Sequence, residues 1–207
     1  MSTRTNPAAR RKVGRPGSGE DVRGAILAAA LRQLESTGSP DRVTVAAIVA
    51  EAGCTPPSLY HYWATRELLL QEASERGWVP FRTSQAQAVA DQQDPVERLR
   101  LRGRAYLDFA LAKPALFRVL FLEPPVVRPG ETPAESGNAL NALITDISEA
   151  MATGALRPAD PLTTALVLWS ATHGVAALWA VNPNLPTELA HVVGDLAQSA
   201  VLSGLAA

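Results

Sequence analysis

Apolar residues recur every three or four positions along most of this chain, and segments that alternate as a strand does are almost absent. Alanine and leucine dominate these stripes, and both residues favour helices. The pattern therefore predicts an all-α protein of about nine helices. The stripes and their start signals place later helices at about 95–112, from Pro114 onward, at about 140–151, at about 161–181 and at about 186–203. An earlier stripe over 27–34 ends at Gly38.

Residues 44–52 predict a short helix that is followed by a sharp turn. The apolar side chains fall at i, i+3, i+4 and i+7 and form one stripe, made of Val45, Ile48, Val49 and Ala52. Thr44 is placed to cap the start of this helix with its hydroxyl. Gly53 tolerates the positive φ that a sharp turn requires, so we expect the helix to end there.

A second short helix follows at once, and a third begins directly after it. Thr55 supplies an N-cap and Pro56 a preset φ, so the second helix runs from Pro56 to about Trp63. Leu59 and Trp63 lie four residues apart and are expected to pack inward, while Thr65 caps the third helix. Two short helices around a tight turn are the sequence form of a DNA-binding helix-turn-helix.

The same stretch resembles the DNA-binding domain of the TetR family of bacterial transcriptional regulators. The resemblance rests on Ala52-Gly53, on Leu59-Tyr60-His61-Tyr62-Trp63 and on Thr65-Arg66-Glu67-Leu68, and it covers roughly residues 20–70. The chain departs from the commoner residues of the family at Pro57, Trp63 and Arg66. Shorter runs resemble motifs of some TetR-type regulatory domains; they are Lys113-Pro114-Ala115-Leu116-Phe117-Arg118 and Trp169-x-x-x-His173-Gly174.

The resemblance implies three helices for DNA binding and about six for ligand binding and dimerisation. We accordingly expect a disordered basic arm over residues 1–19, a helix-turn-helix domain over 20–66 and a ligand-binding and dimerisation domain over 67–207. Proline and acidic residues predict a second irregular segment over 123–137. A two-fold dimer would place two recognition helices in successive major grooves of a palindromic operator. The last two helices are the expected interface, because both are apolar over wide arcs.

Charge is distributed unevenly, although the net charge is only -1. Residues 1–15 contain five basic side chains and no acidic one, whereas the chain from Phe81 onward contains nine Lys or Arg and twelve Asp or Glu. A basic N-terminal end favours double-stranded DNA as the partner there. Arg15, in Gly14-Arg15-Pro16, is expected in the adjacent minor groove, although such a basic run also occurs simply as a solubilising tail.

The helix-turn-helix offers two groups of DNA-contacting side chains. We predict phosphate contacts from Thr44, Thr55, Tyr60 and Arg66, and a base-facing group made of Pro57, Ser58, His61 and Tyr62. Two of these assignments have alternatives. Tyr60 also fits a core aromatic with its hydroxyl at the surface, and the His61 ring also fits a residue that only caps or solvates its helix.

Aromatic and polar side chains in the larger domain predict an apolar effector pocket. The candidate lining residues are Phe81, Tyr106, Phe109, Phe117, Phe121, Trp169 and His173, with Trp179 in the same group. The resemblance implies that a small lipophilic effector bound there releases a repressor from DNA. Because aromatics at helical spacing are also ordinary core residues, a dimeric repressor without an effector remains the alternative. The sequence leaves activation or repression open.

Other classes of function find no support in the sequence. The histidines His61, His173 and His191 fall on separate helices without a carboxylate or cysteine at catalytic spacing, and no phosphate loop or metal-ligand cluster appears. We therefore predict no enzyme, no cofactor and no metal. The single cysteine, Cys54, fits a small turn residue better than a redox sensor and indicates a reducing cytoplasm. We expect no apolar run that is long enough to span a membrane.

Overall fold

The computed structural model describes residues 19–122 and 136–207, and across those two ranges the chain forms helices and no strand. The α-helices are α1 (Gly19–Thr37), α2 (Val45–Ala52), α3 (Pro56–Tyr62), α4 (Arg66–Glu75), α5 (Trp78–Val89), α6 (Pro95–Ala112), α7 (Pro114–Phe117), α8 (Ser136–Ala152), α9 (Pro161–Val181) and α10 (Thr187–Leu205). A 3₁₀ turn covers Pro40–Arg42 and a π-helical turn covers Arg118–Leu122. The predicted all-α class is confirmed, and α7 is only a single turn.

Several helix ends lie where local signals placed them. Asp94 accepts a hydrogen bond from the backbone N–H of Val96 at 2.8 Å, which caps α6. Asp160 accepts one from the N–H of Thr163 at 2.7 Å and caps α9. Gly53 ends α2 with a φ of 67°, in the left-handed region that glycine adopts without strain. Short polar side chains and glycine therefore determine where these helices begin and end.

Two predicted irregular segments are shorter than expected. Gly19, assigned to the basic arm, is the first residue of α1, and Ser136 and Gly137, assigned to the second irregular segment, open α8. The rest of both segments lies outside the described residues. The chain also breaks between α4 and α5 at Gly77. A Cβ at Gly77 would lie 2.5 Å from the Leu116 methyls, so the absence of a side chain lets this junction approach α7 closely.

Three clusters of buried side chains hold the helices together. The first, which we call the N-terminal core, joins α1 to α4 and includes Ile26, Leu59 and Ala73, so it extends beyond residue 66 into α4. The other two lie among α5 to α10. One surrounds Phe117, and the other surrounds Ile147. The two C-terminal clusters border a shared cavity, described below.

The π-helical turn connects the N-terminal core to the larger domain. Val119, in this turn, packs against the N-terminal core, whereas its neighbours Leu120 and Phe121 pack against the cluster around Phe117. Lys113, just before α7, forms an ion pair with Glu35 of α1. One short segment thus contacts both domains.

Helix α9 overturns one sequence prediction. Within the described residues it is long and apolar enough, by length and composition alone, to cross a membrane, with a mean hydropathy of 1.4. The expectation that no such segment occurs is therefore wrong. The sequence prediction failed because scattered Thr, Ser and His residues interrupt the run without adding any charge. One side of α9 is buried through Ala165, Leu168 and Ala176, so the helix is partly a core element.

Candidate nucleic-acid interface and ligand cavity

Helix α3 presents one exposed face that carries three of the predicted DNA-contacting side chains. Pro57, Tyr60 and His61 are all exposed and follow one another at i, i+3 and i+4, so they share a face of the helix. Half of the Tyr60 surface is accessible. Its ring therefore lies at the surface rather than in the core. The helix contains no acidic residue, and this face therefore adds no negative charge that would repel DNA.

Thr44 occupies the start of α2 as predicted. Its hydroxyl accepts a hydrogen bond from the N–H of Ala47 at 3.2 Å. A threonine hydroxyl has one donor and two acceptor sites, so the same group keeps its hydrogen for an outside acceptor. The exposed position and the positive end of the α2 dipole both suit an anion there.

Thr55 lies at the start of α3, but it does not cap the helix in the expected way. Its hydroxyl lies 3.0 Å from the hydroxyl of Ser58 rather than on a backbone N–H. The reason is local: Pro56 and Pro57 have no N–H, and the N–H of Ser58 already donates to the carbonyl of Thr55 at 3.0 Å. Ser58 itself is half-buried.

Arg66 and Tyr62 are engaged inside the domain. The Nη1 of Arg66 donates to the carbonyl oxygens of Pro40 and Val43, at 3.0 and 2.7 Å, and its Nε donates to Glu67 at 3.0 Å. These bonds join the start of α4 to the segment before α2. Tyr62 is half-buried and packs against the N-terminal core. The structure therefore groups Pro57, Tyr60 and His61 at the surface and leaves Arg66 and Tyr62 with internal contacts.

A partly buried polar link joins the end of α3 to α1 and α4. The indole Nε1 of Trp63 donates to Glu72 of α4 at 2.7 Å, and Arg23 of α1 forms an ion pair with the same carboxylate. The Arg23 guanidinium also lies 5.2 Å from the centre of the Trp63 ring, which suits a cation–π contact. Sequence reasoning predicted that Trp63 packs inward but missed its partners. Arg15, the predicted minor-groove residue, lies outside the described residues.

The larger domain contains a partly open cavity of about 280 Å³ between α5, α6, α8, α9, α10 and the π-helical turn. Four of the predicted residues line it, namely Phe81, Tyr106, Phe121 and Trp169. The other four do not. Phe109 and Phe117 are buried in the surrounding core, His173 contacts Tyr106 without lining the cavity, and the indole of Trp179 donates to the carbonyl of Pro186. Helical spacing alone does not separate a cavity wall from the core behind it.

Tyr106 and His173 form a polar contact beside this cavity. The Tyr106 hydroxyl lies 2.7 Å from the Nδ1 of His173. Burial raises the pKa of the Tyr106 phenol, and an interaction with Trp169 acts in the opposite direction. Burial also lowers the pKa of His173. Both shifts favour a pair in which the phenol and the imidazole are neutral and share one hydrogen bond.

Four polar residues of the cavity wall were not predicted. They are Gln85, Arg102, Thr172 and Gln198. A signal for one of them exists in the sequence, because Arg102 lies three residues after Leu99 and four before Tyr106, on what is otherwise an apolar face of α6. Gly103 also lines the cavity, and a Cβ there would overlap the Gln198 amide nitrogen. Glycine at this position lets Gln198 reach α6.

Within the described residues, no group of three or more His, Cys, Asp or Glu side chains is placed to hold a metal ion. Cys54 has a free thiol and lies in the turn between α2 and α3. Its partial burial raises the pKa of the thiol, which disfavours the reactive thiolate.

Comparisons with known proteins agree with this geometry. One curated relative is the nucleoid occlusion factor SlmA of Photobacterium profundum, which is 29% identical over 95 residues, or 46% of this chain and 48% of the relative. The match thus spans about half the length of that relative. A TetR-family regulator from Pectobacterium atrosepticum superposes with a TM-score of 0.73 and 22% identity over 91% of this chain and 95% of that one. AibR, solved with isovaleryl coenzyme A and operator DNA, gives a TM-score of 0.62 and 25% identity over 86% and 98%.

Two family models match the two parts of the molecule separately. The model described as bacterial regulatory proteins of the tetR family matches residues 26–73, which correspond to the helices around the N-terminal core. The model described as a tetracyclin repressor-like C-terminal domain matches residues 99–200, which include most of the cavity wall. Together they cover most of the chain, which belongs to the TetR family of transcriptional regulators and combines a DNA-binding N-terminal domain with a ligand-binding C-terminal domain.

Proposed function

We propose that this protein is a homodimeric repressor that binds a palindromic operator and leaves it when a small lipophilic effector occupies the cavity. The observation that carries the proposal is the exposed face of α3, where Pro57, Tyr60 and His61 stand together on a rigidly held helix. Its three side chains combine apolar contact with hydrogen-bonding capacity. Such a face suits base edges in a major groove.

The phosphate contacts are proposed to come from the edges of this face. Thr44 and Thr55 are exposed at the starts of α2 and α3, where backbone dipoles favour an anion. The Tyr60 hydroxyl is proposed to donate to a neighbouring phosphate. Ser58 and Tyr62 flank the base-facing group, and Arg15 of the N-terminal arm remains the proposed minor-groove residue.

Arg66 is proposed to act mainly as a positioning residue. Its guanidinium holds the carbonyls of Pro40 and Val43 against the start of α4, and this fixes where α2 lies relative to α4. A phosphate contact would use only the donors that remain. Loss of Arg66 should therefore lower the melting temperature as well as the affinity for DNA.

The proposed dimer interface is an apolar face that α9 and α10 leave exposed. Its members are Leu162, Leu166, Val167, Leu178 and Val181 on α9, and Leu189, Val192, Val193 and Leu196 on α10. Leu196 alone is 66% exposed. A patch of this kind on a globular domain marks a binding surface. We propose a second copy of the chain as its occupant, because a four-helix arrangement would then cover the apolar side of α9.

Coupling between the two sites is proposed to pass through the π-helical turn. Leu120 and Phe121 line the cavity, while Val119 packs on the N-terminal core. A ligand that moves the first two residues must also move the third, since all lie within one turn. The consequence would be a shift between two orientations of the DNA-binding domain. AibR, which was solved with both an acyl-coenzyme A and operator DNA, supports a function of this type.

DNA binding tests the proposal directly. The operator would be selected from a random DNA pool and bound to the full chain in fluorescence anisotropy over a salt series. We expect tight, salt-dependent binding to one palindrome, about tenfold weaker binding for Tyr60→Phe and a larger loss for His61→Ala, with unchanged melting temperatures. His191→Ala, on α10, is the matched histidine control. If the wild-type protein binds all DNA sequences equally well, the proposed function as an operator-specific regulator is contradicted.

The interface has its own test. Leu196→Glu should convert the dimer to a monomer in light scattering and weaken operator binding, because a buried charge without a partner is unfavourable. Val79→Glu is the control, since Val79 is an exposed apolar residue outside this face. A dimer that survives Leu196→Glu unchanged would place the interface elsewhere.

The second candidate is a repressor that needs no effector and works in the same cytoplasmic setting. The cavity favours the ligand-responsive form, because a domain that only dimerises has no need of a cavity of about 280 Å³ in its interior. A thermal shift screen with lipophilic compounds separates the two, since a ligand that binds the folded state raises the melting temperature. Hits should disappear in Leu140→Trp, which fills the cavity from α8. Whether the protein represses or activates is decided by the position of its operator.

A further inference from the structure

The cavity has one polar end, and we infer that this end recognises a carboxylate, so that the effector is a small monocarboxylic acid with an apolar tail. The inference rests on the proposed function, because it takes the cavity to be the effector site. It adds the chemical class of the effector and names Arg102 as the residue that selects it.

Arg102 of α6 carries the charge at this end. Its side chain is only 15% exposed and lines the cavity. Its Nε donates to Asp146 at 2.5 Å, while its Nη1 makes only a long contact of 3.4 Å with the carbonyl of Gln85. A guanidinium has five N–H groups in a planar fork, so these two contacts leave donors for a further acceptor. A carboxylate is the acceptor that matches the fork best.

Two buried amides surround the same end and also have donors to spare. Gln85 gives one N–H to the carbonyl of Arg102 at 3.2 Å, and Gln198 gives one to the carbonyl of Leu99 at 2.8 Å. Each amide carries two N–H groups, so each retains one. The cavity end is therefore rich in donors, and the nearest carboxylate, Asp146, already accepts from Arg98 and Arg102.

The net charge of the buried groups also favours an anionic ligand. Arg98 and Arg102 are 13% and 15% exposed and flank Asp146, which is 6% exposed. These three groups carry one net positive charge. Glu149 also pairs with Arg98, but it is 53% exposed and therefore strongly screened by water. Buried charges are favourable when they are paired, and an anionic ligand would pair the remaining positive charge.

The rest of the wall sets the character and size of the tail. Phe81, Phe121, Leu140, Leu143 and Leu168 line it and offer no charge. A volume of about 280 Å³ holds roughly nine waters at the ~30 Å³ that each occupies in the liquid, so a small molecule fits the site. An amide or alcohol of this size would bring no negative charge to the remaining N–H groups of Arg102, and a cation would be repelled.

Matched acids and amides test the inference on the full chain. Binding of 4-phenylbutanoate and octanoate would be measured by calorimetry at pH 7.5, beside 4-phenylbutanamide and octanamide. We expect the acids to bind about tenfold more tightly than the amides, the difference of one charge-assisted hydrogen-bonded contact. Arg102→Gln should abolish this preference. Arg100→Gln should retain it, because Arg100 is an exposed arginine of the same helix that pairs with Glu97.

A second variant keeps the test decisive if Arg102→Gln does not fold. Asp146→Asn removes the competing negative charge while keeping the size of the side chain, so it should strengthen acid binding and leave amide binding nearly unchanged. Equal binding of acids and amides would overturn the inference, as would an acid preference that both variants leave intact. If none of the four probes binds, the inference also fails, while specific operator binding in the anisotropy assay would still support the regulator.

Discussion

The two domains of this protein are both helical, but the N-terminal domain is tightly packed and the C-terminal domain contains a cavity. The N-terminal core buries Ile26, Leu34, Ile48 and Leu59 completely and holds α3 through a shared carboxylate. The C-terminal domain instead contains a cavity of about 280 Å³ and leaves a broad apolar face of α9 and α10 exposed. A DNA-binding domain needs side chains in fixed positions, whereas a ligand-binding domain needs space for its ligand and packing that can adjust. The difference predicts that the same type of substitution changes the free energy of unfolding by different amounts in the two domains.

The largest difference in unfolding free energy should come from replacing one leucine by alanine in each domain. Leu59→Ala removes a fully buried side chain from the N-terminal core and should lower the free energy of unfolding by about 3 kcal/mol, because it creates a cavity in a packed interior. Leu140→Ala only enlarges an existing cavity and should cost about 1 kcal/mol. Urea unfolding at one fixed protein concentration measures both values. Equal losses would mean that the cavity wall is packed as tightly as the N-terminal core.

A second pair compares hydrogen bonds donated by tryptophan. Trp63→Phe removes the donor to Glu72 inside the DNA-binding domain and should cost about 2 kcal/mol, since the acceptor is charged and largely buried. Trp179→Phe removes a bond of 3.1 Å to the carbonyl of Pro186 near the surface and should cost about 0.5 kcal/mol. Operator affinity should fall only in the first variant, because α3 is anchored there. A smaller loss of stability for Trp63→Phe than for Trp179→Phe would show that Trp63 stabilises the domain mainly through the packing of its ring.

The sequence was informative where short-range signals determine the structure. Thr44, Gly53 and Thr65 each stand within four residues of the backbone group or turn they serve, and each behaves as predicted. The caps at Asp94 and Asp160 are equally local. The failure at Thr55 has the same local origin, since two prolines remove the N–H groups that it would cap. These helix ends and the turn between α2 and α3 could therefore be predicted from neighbouring residues alone, whereas the sequence pattern did not predict α5, over Trp78–Val89.

The C-terminal site depends on contacts that no local pattern encodes. Arg102 meets Asp146 across 44 positions, and Gln198 meets Leu99 across 99. Phe81 and Phe109 both sit on apolar helix faces, yet only Phe81 reaches the cavity, because the outcome depends on how α5, α6 and α9 pack together. Arg66 shows the same limit in the first domain. Its charge predicted a phosphate contact, but the two carbonyl partners that the fold gives its Nη1 were not predicted.

A third pair tests the backbone inside the DNA-binding domain. Gly53→Ala should lower stability by about 1 kcal/mol, because a φ of 67° is unfavourable for a residue with a Cβ. Gly24→Ala, in the middle of α1, should raise it by about 0.5 kcal/mol, since a Cβ there meets no atom within 4 Å and alanine favours the helix. Thermal unfolding of both variants measures these two changes in stability. A neutral Gly53→Ala would indicate that the turn between α2 and α3 adapts, against the rigid domain described above.

The smallest effect should appear in the pH dependence of the ligand-binding domain. Burial lowers the pKa of His173, so the unfolded chain takes up this proton more readily than the folded one. Stability should therefore decrease as the pH falls through about 6.5, the ordinary value for histidine, and level off below the folded pKa. His173→Gln removes the titrating group but keeps an acceptor for the Tyr106 hydroxyl, so it should flatten the melting temperature between pH 7.5 and 5.5. His61→Gln, on the exposed face of α3, is the matched control for losing a histidine. A wild-type melting temperature that does not change over this range would contradict the neutral Tyr106–His173 pair, and with it the polar contact beside the cavity.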